Sequence, residues 1–225
     1  MKPCVPIPLE AAGFGRAGLR RRLRARRRDL DARSRRVATR ALTRHLLALP
    51  LLRGARRIGF YLANDGEMDP GLAATALADR GASLLLPVID PLRRGSMRLR
   101  FAPVCAGTPL RRNRYGIREP LGVRSAPAWS LDVVLLPLVG FDRRGGRLGM
   151  GGGFYDRTFD VGRPRPARPR LIGVAHAVQE VDRLELASHD VPLDAIVTDR
   201  GVAWLADHRG WGIAAARTTS SGPED

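Results

Sequence analysis

Residues 132–156 read DVVLLPLVGFDRRGGRLGMGGGFYD and concentrate the residue types that bind anions. An apolar run ends at Gly140, a polar turn follows, and Gly149, Gly151, Gly152 and Gly153 lead into a helix expected to open at Phe154. Glycines let backbone N–H groups come close to an anion, and a helix N-terminus adds positive potential. Arg147, just before the glycines, offers a fixed charge suited to phosphate. Asp156, just after them, offers a carboxylate suited to magnesium. The spacing GxGGG has no Gly-Lys-Ser/Thr of a Walker loop and is not the GxGxxG of dinucleotide folds. A structural turn is the competing reading. Strand, arginine, helix and aspartate in that order favour a phosphate site.

The other candidate groups are less distinctive. Glu67 follows Asp65-Gly66 in a turn, a place where an acid is often simply solvated. Asp190 precedes Val191-Pro192 and reads by itself as a loop end, with Asp194 close enough to rival it as a metal ligand. Four histidines without paired spacing argue against zinc. Cys4 and Cys105 cannot make a disulfide framework, and Cys105 has no activating partner nearby in sequence, so it reads as structural.

Elements able to position these groups are visible as short apolar runs at 58–62, 83–89, 132–139, 171–175 and 195–198, all read as buried strands. Residues 71–80, GLAATALADR, form a helix of crossover length between the first two. The resulting β-α-β unit predicts an α/β fold with a mostly parallel sheet covered by helices. Residues 97–101 alternate as a half-exposed strand would, and 162–170, GRPRPARPR, suit a polyproline-like connection. The expected organisation is one catalytic domain over 16–205, an N-terminal extension over 1–15 and a disordered tail over 206–225.

The 225 residues carry 39 Lys plus Arg against 22 Asp plus Glu, a formal charge of +17. Residues 16–57 alone hold 16 arginines and two aspartates, so the rest of the chain is close to neutral. Within that stretch Leu19, Leu23, Leu30, Val37, Ala41 and Leu46 recur at helical spacings, predicting one apolar face ringed by arginine. Asp31 is placed to cap a second helix and Pro50 to limit it. A docking helix pair with a solvated arginine face, or a phosphate-contacting surface, would each explain it. No aromatic residue lies in the stretch, which counts against stacking on single strands.

An apolar share of 44% fits a globular protein. The longest apolar run, nine residues at 133–141, falls short of the roughly 20 that span a bilayer. The N-terminus lacks the apolar segment of a secretion signal, and the cytoplasm is the expected compartment.

RLGMGGGFYD with the preceding PLVGFD resembles the signature of the 5-formyltetrahydrofolate cyclo-ligase family, also called 5,10-methenyltetrahydrofolate synthetases. FYLANDGEMD at 60–69 is similar to the family's folate-side segment, GIREP at 116–120 to its Gly-x-x-Glu-Pro turn, and SHDVPLDA at 188–195 to its late acidic motif. The motifs follow the family's order over about four-fifths of the chain. The resemblance implies a three-layer fold of the sugar-isomerase and CoA-transferase-like kind. It also implies ATP-dependent closure of 5-formyltetrahydrofolate to the 5,10-methenyl form, with ADP and phosphate released.

Carried onto this chain, the resemblance implies that Arg147, Leu148, Gly149, Met150, Gly151, Gly152, Gly153, Phe154 and Tyr155 line the nucleotide, with Met150 to Phe154 also touching folate. Arg16 and Arg20 match basic positions that reach ATP, Leu62 and Glu67 match folate contacts, and Asp156 and Asp190 match magnesium positions. Arg147 and Tyr155 are the residues nearest the chemistry on this reading, although Tyr155 suits packing or nucleotide contact better than acid–base work. Gly152 stands where many members have lysine, and Pro70 where threonine is common. A monomer acting on a small-molecule folate, with or without a polyglutamate tail, is expected, with no membrane partner and no nucleic acid, although the basic N-terminal helix leaves the latter open. Two rival functions are a nucleic-acid protein using the arginine surface and a kinase or ligase for another small substrate.

Overall fold

The computed structural model describes residues 15–91, 95–160, 168–185 and 190–204. The expected extension before Gly15, most of the proline-rich connection, Ser188, His189 and the tail lie outside the described residues. Helix α1 (Arg16–Arg28) ends on Arg26, Arg27 and Arg28, cations that suit the negative end of the helix dipole. The chain breaks at Asp29-Leu30, and Asp31 restarts it by accepting a 2.7 Å hydrogen bond from the Ser34 N–H, capping α2 (Ala32–Ala48). Leu49 turns extended ahead of Pro50, which opens the short α3 (Pro50–Arg53) from its first position.

The apolar face of this segment is not quite the expected one. Leu23, Ala38, Ala41, Leu42 and Leu46 are buried, but Val37 is 57% exposed. It lies one residue, about 100° of helix, from Ala38 and therefore off the stripe. The ring of arginines is not uniformly solvated either, because Arg27 is completely buried. It follows Leu23 by four residues and shares its face.

Strand β1 (Arg57–Gly59), helix α4 (Gly71–Asp79) and strand β2 (Ser83–Ile89) form the expected β-α-β unit. Then come β3 (Leu99–Val104), the hairpin β4 (Leu110–Arg112) and β5 (Arg118–Pro120), and β6 (Ala126–Pro127). After these lie β7 (Val133–Pro137), a second hairpin of β8 (Gly140–Phe141) and β9 (Arg147–Leu148), and α5 (Phe154–Phe159). The last strands are β10 (Arg170–Val174), β11 (Ala195–Val197) and β12 (Val202–Trp204). The main sheet runs β12-β11-β10-β7-β1-β2-β3-β6, with the five strands from β11 to β2 parallel and the flanking ones antiparallel. Strand β3 is half-exposed as its alternation suggested: Leu99 and Arg100 are half-buried, while Phe101 turns inward against Phe159 of α5 and β2 and β6 pair with its edges.

Alternation along the central strands divides two cores. Ile58, Leu86, Leu135 and Ile172 pack with Leu42, Leu46 and Leu77 of α2 and α4. Leu85, Val134, Leu136 and Leu171 pack on the other face with Phe159, Leu193 and Ile196. Gly59 is required by this packing, as a Cβ there would sit 2.9 Å from the Phe101 ring. From β1 the chain crosses to β2 on one side, while from β7 it crosses to β10 and β11 on the other. The crossovers diverge between β1 and β7, and the crevice outside their carboxyl ends is where such sheets bind ligands.

Candidate functional site

Two segments open on that crevice, residues 60–70 after β1 and residues 138–156 after β7. The first is a tight turn. Asn64 accepts the Glu67 N–H at 2.9 Å through its carbonyl, and Glu67 Oε2 accepts the Asn64 N–H at 3.2 Å. Asp65 adopts φ +52° and Gly66 φ +75°, so a non-glycine residue is held in the left-handed region. Helix α1 holds it there. Arg24 Nε lies 2.7 Å and Arg27 Nη2 3.0 Å from Asp65 Oδ2, Arg28 Nε lies 2.8 Å from Oδ1, and Arg27 Nε donates to the Asp65 carbonyl at 2.9 Å. Burial raises the Asp65 carboxyl, but hydrogen bonds from Arg24 and Arg27 outweigh it and leave the group below its ordinary range.

Glu67 sits deeper, with 13% of its side chain exposed and Arg27 Nη2 3.6 Å from Oε1. Burial lifts its carboxyl above the usual range, and Arg27 only partly opposes this. The Tyr61 hydroxyl donates to the Met68 carbonyl at 2.5 Å and anchors the segment to the core. Leu62 is half-buried against the same core.

The second segment is more open. Strands β8 and β9 form a hairpin whose turn is held by buried Asp142, which accepts the N–H groups of Arg144, Gly146 and, across the fold, Leu184. The polar turn expected from sequence is thus a hairpin. Leu148 packs into a cluster with Leu23, Val139 and Val181, so its side chain points away from any ligand and only its backbone borders the crevice. Gly151 is exposed, Gly149 is half-buried, and Met150 is 53% exposed. Gly151 has φ +95°, and Gly153 caps α5 at φ +61°. A Cβ on Gly152 would meet the Phe154 ring at 2.9 Å, so a larger residue there requires that ring to shift.

Arg147, the fixed charge expected from sequence, is tied into the fold. It is 7% exposed, pairs through Nη2 with Asp156 Oδ1, and donates from Nε to the Val191 carbonyl at 2.9 Å. Asp156 Oδ1 also accepts the Val191 N–H at 3.2 Å, which brings Asp156 beside the Asp190 segment. Asp190 Oδ2 faces Arg16 at 3.5 Å. Asp194 is a structural clamp: its oxygens accept from Arg170 at 2.9 Å and from the Leu171 N–H at 2.8 Å, and it is 7% exposed. Among the described residues no cluster of three or more His, Cys, Asp or Glu could hold a metal by itself.

Helix α1 joins the two sides. Arg16, Arg20, Arg24 and Arg27 succeed one another at about one helical turn. Arg16 reaches the Glu185 carbonyl and Asp190, Arg20 Nε donates to the Gly149 carbonyl at 2.9 Å, and Arg24 and Arg27 hold the Asp65 turn. Tyr155 is half-buried and stacked on Phe159 with centroids 6.4 Å apart. Burial and the nearby charge of Glu67 push its hydroxyl far above the ordinary range, so it stays a neutral donor. Tyr115 of the β4–β5 hairpin packs edge-on to Phe154 at 5.5 Å, bringing the GIREP turn to the glycine loop. Exposed Cys105 has its Sγ 3.5 Å from the Thr108 hydroxyl.

Sequence reasoning missed Arg24, Arg27, Asp65, Asp142 and His176. Only Arg27 left a signal, four residues past a buried leucine. His176, 2% exposed at the end of β10, has both ring nitrogens buried without a hydrogen-bond partner. Burial pulls its pKa down, partly opposed by the charge of Asp199 and by the Gly66 backbone.

A family model described as the 5-formyltetrahydrofolate cyclo-ligase family matches residues 14–199. The 5-formyltetrahydrofolate cyclo-ligase of Haemophilus influenzae is 36% identical over 181 residues, covering 79% of this chain and 94% of that relative. The Escherichia coli K12 protein of the same name is 36% identical over 178 residues, covering 78% and 96%. The NMR structure of the Aquifex aeolicus 5,10-methenyltetrahydrofolate synthetase superposes with a TM-score of 0.71 at 26% identity, over 89% of this chain and 98% of that one.

Proposed function

Since the chain belongs to the 5-formyltetrahydrofolate cyclo-ligase family, we infer that it converts 5-formyltetrahydrofolate to 5,10-methenyltetrahydrofolate at the crevice between β1 and β7. The observation that carries the placement is the convergence there of the Glu67 turn and the glycine loop, bridged by α1. The family is ATP-dependent, and the two sides divide the substrates.

The N5-formyl group is an amide, so its carbon is a poor electrophile and its oxygen a poor leaving group. Transfer of the γ-phosphoryl group of ATP to the formyl oxygen releases ADP and gives an imino-phosphate. N10 attacks the activated carbon and gives up its proton, the C–O bond breaks, and phosphate leaves with the former formyl oxygen. The methenyl bridge remains between N5 and N10. Such a path asks the protein mainly for positioning and charge stabilisation.

Backbone N–H groups of Gly149 to Gly153, the N-terminus of α5 and the guanidinium groups of Arg16, Arg20 and Arg147 face the triphosphate in this reading. Glu67, an acceptor with two oxygens, takes the amino group and ring N–H of the pterin. Leu62, Met150 and Phe154 provide apolar contact to the folate, and Tyr155 donates a neutral hydroxyl. Asp156, which accepts the N–H of Val191 next to Asp190, and Asp190 would supply hard oxygens that suit magnesium shared with phosphate oxygens rather than caged by protein. Bound there, the ion would neutralise phosphate charge. Cytoplasmic location and a monomeric state belong to the same reading. Arg20, Arg24 and Arg27 are engaged with the loop and the turn, which removes them from any nucleic-acid surface.

The test is to mix the purified chain with 5-formyltetrahydrofolate, ATP and magnesium and follow the near-ultraviolet absorbance of the methenyl product. A rise that needs both ATP and magnesium is expected. A folded, ATP-binding chain that gives no rise would reject the reading.

A further inference from the structure

We propose that Arg27 is a positioning residue for folate: from inside the fold it keeps the Glu67 carboxylate charged and oriented for the pterin. The inference rests on the assignment of Glu67 to the pterin. Arg27 is the largest side chain with no accessible surface, an unusual place for a guanidinium, and it occupies the core side of the Asp65-Gly66 turn. Two of its nitrogens are used on Asp65, while Nη1 is buried without a partner, a cost that a purely structural residue has no reason to carry.

The distances show how the role is performed. Arg27 meets Asp65 at hydrogen-bond length but stands 3.6 Å from Glu67 Oε1. At that separation it supplies potential without consuming the lone pairs of Glu67. Oε2 is braced by the Asn64 N–H, so one oxygen is fixed in direction and both keep acceptor capacity for a donor pair.

The groups facing Glu67 oppose one another. Burial and Asp65 favour its protonated form; Arg27 and Arg24 from α1 and the Asn64 N–H favour its charge. Tyr61 and Tyr155 face it as neutral phenols, and His176 lies behind Gly66 as a neutral ring. With Arg27 gone the balance moves towards protonation. A protonated carboxyl presents a hydrogen where the pterin also presents one, so binding must fail at low pH and recover as Glu67 ionises.

The experiment compares full-length Arg27→Gln, Glu67→Gln and the double variant by steady-state kinetics from about pH 6.5 to about pH 8.5. Arg27→Gln is expected to raise the KM for 5-formyltetrahydrofolate by about tenfold or more at the acid end and to approach the native value at the alkaline end. Its kcat and its KM for ATP should stay within about twofold, since no transition-state contact is removed. Glu67→Gln should raise the folate KM at every pH, and the double variant should show no alkaline recovery. An Arg27→Gln KM that is native throughout, or raised equally at every pH, overturns the proposal. A native folate KM in Glu67→Gln instead overturns the pterin assignment, a separate failure. If Arg27→Gln does not fold, carboxyl 13C NMR of the native chain decides, with Glu67 identified by its loss in Glu67→Gln. Titration completed below neutrality supports the proposal, and a midpoint at or above neutrality overturns it.

Discussion

The turn at 64–67 and the loop at 147–156 line the same crevice but hold their shapes by different means. Ion pairs from Arg24, Arg27 and Arg28 lock the turn around a strained Asp65 and a half-shielded Glu67. The loop meets α1 through Arg20 and the Gly149 carbonyl, and it leaves Met150 and Gly151 exposed with the other glycines half-buried. A pterin brings no net charge with which to organise a binding turn, so the protein fixes that turn in advance. A triphosphate brings several charges and can order glycine N–H groups around itself. Preorganisation is placed where the ligand cannot supply it.

Arg147→Ala is the strongest way to sharpen this contrast. It should lower kcat by about 10²- to 10³-fold, the size expected for losing a charged group at developing phosphate charge. The folate KM should move by less than about threefold, because the Asp65 turn does not depend on it. Stopped assays that vary each substrate in turn would show the split, and equal damage to both KM values would erase the division between the two sides.

Gly151→Ala should cost less. At φ +95° a side chain strains the loop by roughly 1–2 kcal/mol, so the KM for ATP should rise by about tenfold with folate affinity retained. Isothermal titration with each ligand is the direct check.

The smallest effect concerns the turn's support. His176 is held below its ordinary pKa of 6.5 by burial, so as pH falls below that value the unfolded chain binds a proton that the folded chain resists. Stability is therefore full above the unfolded pKa and declines as pH falls towards the folded one. Native Tm should drop by a few degrees on acidification through this window, and His176→Phe should flatten that slope while leaving the glycine loop's ATP affinity unchanged. Calorimetry at stepped pH would reveal it; an unchanged slope would mean that the ring carries no part of the acid sensitivity.

Much of this architecture was legible before any coordinates. Strands at 83–89 and 195–198, the crossover helix at 71–80 and the Asp31 cap were visible because hydrophobic period and capping chemistry act within a few residues. The glycine cluster stood out as a local signal, whereas the Glu67 turn drew attention only through its resemblance to the family's folate-side segment. Val37 marked its limit: helical spacing suggests which face could be buried, but only the neighbours decide which face is.

By itself, then, the sequence determined the order of elements, the family and the segments that meet at the site. Tertiary structure alone decided that Arg27 lies inside the fold against Asp65, 38 residues away in the chain. It also decided that Arg147 is tied to Asp156, that Asp194 is spent on Arg170 and Leu171 while Asp190 faces Arg16, and that Leu148 turns its side chain to the core. The reason is physical. A charge's role depends on which partner reaches it and how much water is excluded, and both are set by chain segments that are distant in sequence.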